Sequence, residues 1–142
     1  MQSFPPSRPA NIIGITNALA QSALKDPDVQ LFALLGDDLR FSSKTWLAPI
    51  KSAFDDMQAK TDIPGFGCVI LNDRRFVGFP TFPVVSRMHI EIFNGWAPTE
   101  FVNQDADPWI WALYRHFTGA LHWDKSSCVY NGIGGDSEPP SW

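Results

Sequence analysis

The sequence lacks the features that mark several common protein classes. It has two cysteines in 142 residues, too few for a disulfide framework, so Cys68 and Cys128 are expected as free, buried thiols in apolar strands. It has no basic run and a formal net charge of −4, so no sequence-specific nucleic-acid partner is expected. No apolar run approaches the roughly 20 residues that cross a bilayer, so no membrane partner is expected either.

Charge of either sign is also scarce. Charged residues make up 18% of the chain, whereas about 25% is usual in soluble domains. The sequence is instead rich in bulky and rigid residues, with six Trp, eleven Phe and twelve Pro. Because aromatic residues are enriched at protein interfaces, this composition indicates either an obligate partner or an aromatic core.

A signal peptide is not expected, although residues 10–20 are largely apolar and follow Arg8. Asn11, Thr16 and Asn17 interrupt the stretch, whereas the core of a signal peptide is a continuous apolar run. We therefore predict an intracellular product.

Residues 84–93 alternate apolar with polar side chains. The period of two predicts a strand of an antiparallel sheet, with one buried face and one wet face. The predicted buried face holds Val84, Met88, Ile90 and Ile92, and the predicted wet face holds Arg87, His89 and Glu91.

The whole pattern predicts an α+β fold, with a small antiparallel or mixed sheet and helices packed on one face. Helices are predicted at residues 8–25, 27–35, 47–60 and 108–123, strands at 39–46, 67–71, 84–93 and 128–130, and an aromatic loop at 76–83. The length predicts a single domain over residues 1–142. Its core is expected from about residue 8 to residue 130, with extended arms at 1–6 and 132–142.

No catalytic, cofactor or metal site is predicted. His116 and His122 are six residues apart, which places them on different faces of the predicted helix, so they do not form a helical zinc site. The glycine-rich residues 131–136 lack the strand, helix and Lys that a phosphate-binding loop needs. His89 has Arg87 and Glu91 as same-face neighbours, but no nucleophile is identifiable.

Several residues are instead candidates for contacts between subunits or with other proteins. The three Phe of the loop at 76–83 lie in a stretch without charge, and exposed apolar patches mark interaction sites. The wet face is expected to line a lumen or a polar subunit contact, and a lone aromatic in each arm is expected to anchor in a neighbour. The candidate interface residues are Phe4, Phe76, Phe79, Phe82, Arg87, His89, Glu91, Trp109 and Trp142.

Four segments follow one another in an order known from one protein family. Residues 31–40 (LFALLGDDLR) read as a helix that runs into a glycine-aspartate turn and a first strand, and residues 64–71 (PGFGCVIL) as a proline before a hydrophobic strand. Residues 87–93 read as an outward-polar central strand, and residues 108–121 as a helix that crosses the sheet. Over roughly residues 11–130, the chain thereby resembles the tail terminator (tail completion) proteins of long-tailed bacteriophages.

The resemblance implies an α+β structural protein of the virion without catalysis or cofactor. It implies a homo-oligomeric ring, usually a hexamer, that caps the finished tail tube and joins it to the head or neck. The implied partners are further copies of the chain, the tail tube protein, and neck or head-completion proteins, with DNA passing through the ring. The implied location is the virion, after synthesis and assembly in the host cytoplasm.

Two other interpretations stay open at this point. The chain could be another phage neck, head-completion or minor tail protein. From a different class, it could be a small-ligand-binding or enzymatic α+β domain that uses the His89 and Glu91 face together with the tryptophans. A deep pocket lined by His89 or Trp109 would favour ligand binding.

Overall fold

The computed structural model describes residues 11–101 and 105–132, without the side chains of residues 126–128. Within that part of the chain, four helices and five strands confirm the predicted α+β class. The helices are α1 (Ile12–Ala23), α2 (Leu47–Thr61), α3 (Arg87–Phe93) and α4 (Ala106–Tyr114). The strands are β1 (Leu31–Ala33), β2 (Leu39–Phe41), β3 (Cys68–Asp73), β4 (Pro83–Ser86) and β5 (Leu121–Asn131).

The strands form one mixed sheet in the order β1-β4-β3-β5-β2. β3 and β5 are parallel, and the other three neighbouring pairs are antiparallel. β3 therefore lies at the centre of the sheet, and β1 and β2 lie at its two edges.

The sheet carries helices on both faces. Cys68 and Ile70 of β3 belong to a buried cluster shared with α1 and α4, whereas Val69 and Leu71 belong to a second cluster built around α2. The prediction that the helices pack on one face is therefore wrong. A strand with apolar side chains at consecutive positions is covered on both sides, as in buried parallel sheets.

Two helices form where the sequence predicts them. α1 lies within the predicted span, and the Asn11 side chain caps it by accepting the N–H of Gly14 at 2.7 Å. α2 differs from its predicted span by one residue, and its apolar stripe is buried. It ends at Asp62, whose φ of 56° lies in the left-handed region.

The predicted helix at residues 27–35 is wrong. Residues 31–33 form β1, in which Phe32 pairs with Val85 of β4 and is buried. The five consecutive apolar residues 31–35 are compatible with either a strand or a helix. These residues form a strand rather than a helix because they pair with β4, which lies more than 50 residues later in the chain.

The predicted strand at residues 84–93 is correct only over its first part. β4 ends at Ser86, and residues 87–93 form α3, which ends at Asn94 with φ 56°. Arg87 and Glu91 form an ion pair at 2.8 Å with the i, i+4 spacing of a helix. That spacing was visible in the sequence and competed with the alternation.

The predicted helix at residues 108–123 is also too long. α4 ends at Tyr114, and residues 121–123 belong to β5, beside Cys68, Val69 and Ile70. Gly119 has a φ of 87°, a conformation that glycine adopts without strain, and it turns the chain into β5. The last strand is therefore much longer than the predicted 128–130.

The predicted arms, with Phe4 and Trp142, lie outside the described residues, except that Gly132 donates to the Asp38 carbonyl at 3.2 Å. Between residues 11 and 101 and between 105 and 132, no helix is long and apolar enough to cross a membrane.

Candidate functional site

α1 carries apolar side chains on two of its sides. Ile13 and Ala20 are buried in the core. Ile12, Ile15 and Leu19 form a second stripe and are 41%, 59% and 66% exposed. A helix of a monomeric protein normally turns one apolar stripe to the core and polar residues to solvent. The second stripe is therefore a candidate contact surface, which we call the α1 outer stripe.

The loop after β3 exposes a second apolar group. Phe76, Val77 and Phe79 are 39%, 80% and 50% exposed, so Phe76 and Phe79 remain candidates for the predicted contact with another subunit or protein. Phe82 is different, because it is buried in the α2-side cluster. The prediction that Phe82 offers an exposed contact is wrong for the isolated chain.

Asp107 in the first turn of α4 holds the end of this loop. Its Oδ2 accepts the backbone N–H of Phe82 at 3.2 Å, where Phe82 has a φ of 47°. Burial raises the pKa of Asp107 to about 6, although the Phe82 hydrogen bond opposes the rise. Burial also raises the pKa of the free Cys68 thiol, and the Asp107 charge adds to that effect. Cys68 is thus an unreactive core residue, as predicted.

His89 lies at the centre of a buried polar group. It is fully buried, with Nδ1 3.0 Å from the Tyr114 hydroxyl and Nε2 2.9 Å from the Trp96 carbonyl. The carbonyl can only accept, so Nε2 carries the proton and Nδ1 accepts from Tyr114. Burial lowers the pKa of His89 and raises that of Tyr114, so both groups are neutral.

The predicted wet face at residues 87–91 is therefore wrong at its central residue. On a helix, His89 and Ile90 point inward, while Glu91 and Ile92 are exposed. His89 has no ring nitrogen left for a substrate, which removes it as an acid–base candidate.

Asn17 of α1 fixes the loop that supplies the Trp96 carbonyl. Its Oδ1 accepts from the N–H groups of Trp96 at 2.7 Å and Ala97 at 3.3 Å, and its Nδ2 donates to the Ala97 carbonyl at 2.9 Å. A Cβ on Gly95 would lie 2.6 Å from this side chain. Sequence reasoning gave Asn17 no role, because its partners are 79 and 80 residues away.

Arg87 also has a structural role that the sequence did not indicate. Its guanidinium donates to the carbonyls of Leu24 at 2.7 Å, Asp26 at 3.0 Å and Val29 at 3.3 Å, besides pairing with Glu91. It thereby fastens the connection between α1 and β1 to the start of α3.

Trp109 packs inside the fold and is only partly buried. Its ring meets Phe93 edge-on at 5.5 Å and Phe101 at 5.9 Å. Trp109, a predicted interface residue, thus packs partly against the aromatic side chains of the fold.

Two grooves flank β1 on the α2 side, each with a volume of about 500 Å³. They share Gln30, Leu31, Phe54 and Asp55 as lining residues. Ser86 lines one of them, and its buried hydroxyl has no hydrogen-bond partner in the described part of the chain. A smaller groove of about 200 Å³ lies on the opposite face, between α1 and β1.

Over the described residues, no group of three or more His, Cys, Asp or Glu side chains is placed to hold a metal ion. No family model, curated protein or solved structure was found to match the chain.

Proposed function

We propose that this chain is a structural subunit that associates with copies of itself into a ring, and that the ring caps a phage tail tube. The observation that carries self-association is the α1 outer stripe. It places Ile15 and Leu19 more than half exposed on a helix whose other side is already buried in the core.

The energetic argument concerns large apolar side chains in water. Burying an Ile or Leu side chain stabilises a contact by about 1.5–3 kcal/mol. A stripe of three such residues, with the exposed Phe76 and Phe79 elsewhere on the surface, gives the subunit more than one apolar contact area. Two different areas on one subunit suit a head-to-tail contact, which generates a ring when its rotation closes.

The role at the tail tube rests on the sequence resemblance to tail terminator proteins. On that proposal, the ring meets the tail tube protein on one side and neck or head-completion proteins on the other. DNA passes through the ring, and the finished protein resides in the virion. The buried, doubly hydrogen-bonded His89 supports a structural rather than a catalytic role for the polar residues of α3.

Size-exclusion chromatography with light scattering, followed by negative-stain electron microscopy of the purified protein, tests this proposal. We expect a mass that is a multiple of the subunit mass and particles with a central hole. Replacing Leu19 by Ser should reduce assembly while the circular dichroism spectrum stays unchanged. Ala18→Ser is the matched control, since it alters the same exposed side of α1 without removing a large apolar side chain.

A chain that stays monomeric at all concentrations would overturn the proposal. Assembly that is equally strong in the Leu19→Ser and Ala18→Ser variants would show that the α1 outer stripe is not the contact. If the rings form but do not bind tail tubes in electron micrographs, the proposed self-association stands and the proposed role at the tail tube is overturned.

Ser86 favours a second candidate function, the binding of a small ligand in the groove that it lines. Ser86 lines a cavity of about 500 Å³, a volume in the range of ligand sites, and its buried hydroxyl has no hydrogen-bond partner within the described residues. A fragment screen by thermal shift, repeated on Ser86→Ala, separates this function from assembly. Hits that depend on Ser86 in a monomeric protein would favour ligand binding.

A further inference from the structure

β1 presents unpaired backbone groups at one edge of the sheet. The Arg87 N–H donates to the Gln30 carbonyl at 2.8 Å, so Phe32, two residues on, also directs its N–H and C=O toward β4. Leu31 and Ala33 therefore direct theirs outward. No hydrogen-bond partner for these outward groups occurs within residues 11–101 and 105–132.

β2 presents a similar edge at the other end. The Gly132 N–H donates to the Asp38 carbonyl, so Arg40 faces β5, and Leu39 and Phe41 face outward. The Leu39 N–H is used by the Gly36 carbonyl at 3.3 Å. The Leu39 carbonyl and both backbone groups of Phe41 remain available, as judged from the described part of the chain.

The two edge strands run in opposite directions. β1 is antiparallel to β4, which is antiparallel to β3, so β1 points the same way as β3. β2 is antiparallel to β5, which is parallel to β3, so β2 points the other way. If a second copy continues the sheet with the same faces up, its β2 lies antiparallel to β1.

We propose that β1 of one copy pairs with β2 of the next in an antiparallel ladder that continues the sheet from subunit to subunit. In the register that we propose, Leu31 of one copy lies opposite Phe41 of the next copy, and the two residues exchange both backbone hydrogen bonds. Ala33 lies opposite Leu39 and donates to its carbonyl. The inference rests on the proposed self-association and identifies the surfaces that make it.

The side chains beside the two edges fit this arrangement. Leu31, Leu39 and Phe41 all pack at the margin of the α2-side cluster, so Phe41 of the neighbouring copy would project over the α2-side grooves. Phe41 is stacked on Trp46, with ring centroids 4.1 Å apart. One of these grooves is lined in part by Leu31, Leu47 and Phe54. These apolar side chains can contact the Phe41 and Trp46 rings of the neighbouring copy.

Charge favours the same partner. The groove is lined by Asp28, Asp55 and Lys51, which leaves it one negative charge. In the β2 segment, Lys44 lies three residues beyond Phe41 and is exposed. Opposite charges across an interface steer association and select its register.

A second copy is also the occupant that accounts for both edges at once. An isolated pairing of β1 with β1 would leave β2 open, whereas β1 with β2 uses every edge and forms a head-to-tail contact. The α1 outer stripe adjoins the same edge, because Leu19 and Phe32 line one groove between α1 and β1. The contact would thus lie next to the surface that supports the proposed function.

Site-directed crosslinking tests the pairing. In a Cys128→Ser background, one variant carries Ala33→Cys and another carries Leu39→Cys, and a short bis-maleimide is added to each alone and to their mixture. Cys68 is buried and serves as the internal control for background reaction. We expect crosslinked dimers in the mixture at a level at least about tenfold above that in either single variant.

The outcomes separate this inference from the proposed function. Self-association without an Ala33–Leu39 crosslink would overturn the edge pairing and leave the ring standing. Crosslinks within the Ala33→Cys variant alone would indicate β1–β1 pairing and also overturn it. A chain that never associates would overturn both proposals.

A backbone variant gives an independent measurement. Ala33→Pro removes an outward N–H without removing a hydrogen bond to β4, and proline is tolerated on edge strands, while Ala33→Ser changes the side chain and keeps that N–H. We expect Ala33→Pro to weaken association at least about tenfold relative to Ala33→Ser, with both variants folded by circular dichroism. Equal association of the two variants would overturn the proposed ladder.

Discussion

Replacing Asp107 by Asn should stabilise the protein at neutral pH. Asp107 is partly buried at the start of α4, and desolvation raises the pKa of its carboxyl from 3.8 to about 6. A raised folded-state pKa means that the folded state binds the proton more tightly than the unfolded state does. The stability that this proton provides is fully present below pH 3.8 and is lost as the pH rises through about 6.

The magnitude follows from the size of the pKa change. One pKa unit corresponds to 1.36 kcal/mol, so a rise of roughly two units makes the buried charge cost up to about 3 kcal/mol above pH 7. The position of Asp107 in the first turn of a helix offsets about 0.3–1 kcal/mol of a charge's cost. Asn keeps an oxygen that can accept the Phe82 N–H. We therefore expect Asp107→Asn to exceed wild type by about 2 kcal/mol at pH 7–8.

Urea unfolding at pH 4, 5, 6, 7 and 8 measures this difference. The gain should shrink toward zero at pH 4, where wild-type Asp107 is protonated in the folded state. Asp105→Asn is the control, since it removes an exposed carboxylate from the same turn. A gain that is equal at all five pH values, or an equally pH-dependent gain in Asp105→Asn, would refute the burial argument. Comparing each variant with wild type at the same pH cancels the common titration of His89.

Three further predictions concern buried contacts and the aromatic loop. His89→Leu should lower the free energy of unfolding by about 2–4 kcal/mol, because it leaves two buried polar groups without a hydrogen-bond partner. The control Glu91→Ala should lower it by less than about 1 kcal/mol. Equal losses of the two variants in urea unfolding would contradict the assignment of His89 to the interior. Asn17→Ala should lower the free energy of unfolding by about 2–3 kcal/mol, because it leaves the N–H groups of Trp96 and Ala97 unpaired. Amide hydrogen exchange should accelerate first in the loop that contains these two residues. Unchanged exchange would mean that this loop keeps its conformation without the Asn17 side chain. Phe79→Ser should leave the melting temperature nearly unchanged and weaken assembly. Phe82→Ser should instead lower the free energy of unfolding by about 3 kcal/mol or more. A folded Phe79→Ser variant that assembles normally would show that the loop is not part of the interface.

The sequence contained enough information to predict elements whose signals are local. The apolar stripe of α2 and its end at Asp62 depend on residues within about four positions. The apolar run of β3 likewise indicated a central strand, because a strand with apolar residues at consecutive positions is buried on both faces. Fold class followed from these elements together.

The candidate surfaces were only partly predictable. Composition indicated that Phe76 and Phe79 are available for contacts, because a loop without charge has nothing local to bury them. The same reasoning failed for Phe82, whose burial depends on α2 and on Asp107, 25 residues away. The helical spacing of Ile12, Ile15 and Leu19 is visible in the sequence, but the sequence does not reveal that Ile13 and Ala20 meet the core instead and leave this stripe exposed.

Tertiary structure decided the segments whose local signals conflict. Residues 87–93 satisfy a strand period and a helix spacing together, and burial of His89 between Tyr114 and the Trp96 carbonyl selects the helix. Residues 121–123 continue a helical stripe in the sequence, yet pairing with β3 takes them into the sheet. In each case the deciding contacts join residues far apart in the chain, and their energies outweigh local propensities that differ by at most about 1 kcal/mol per residue.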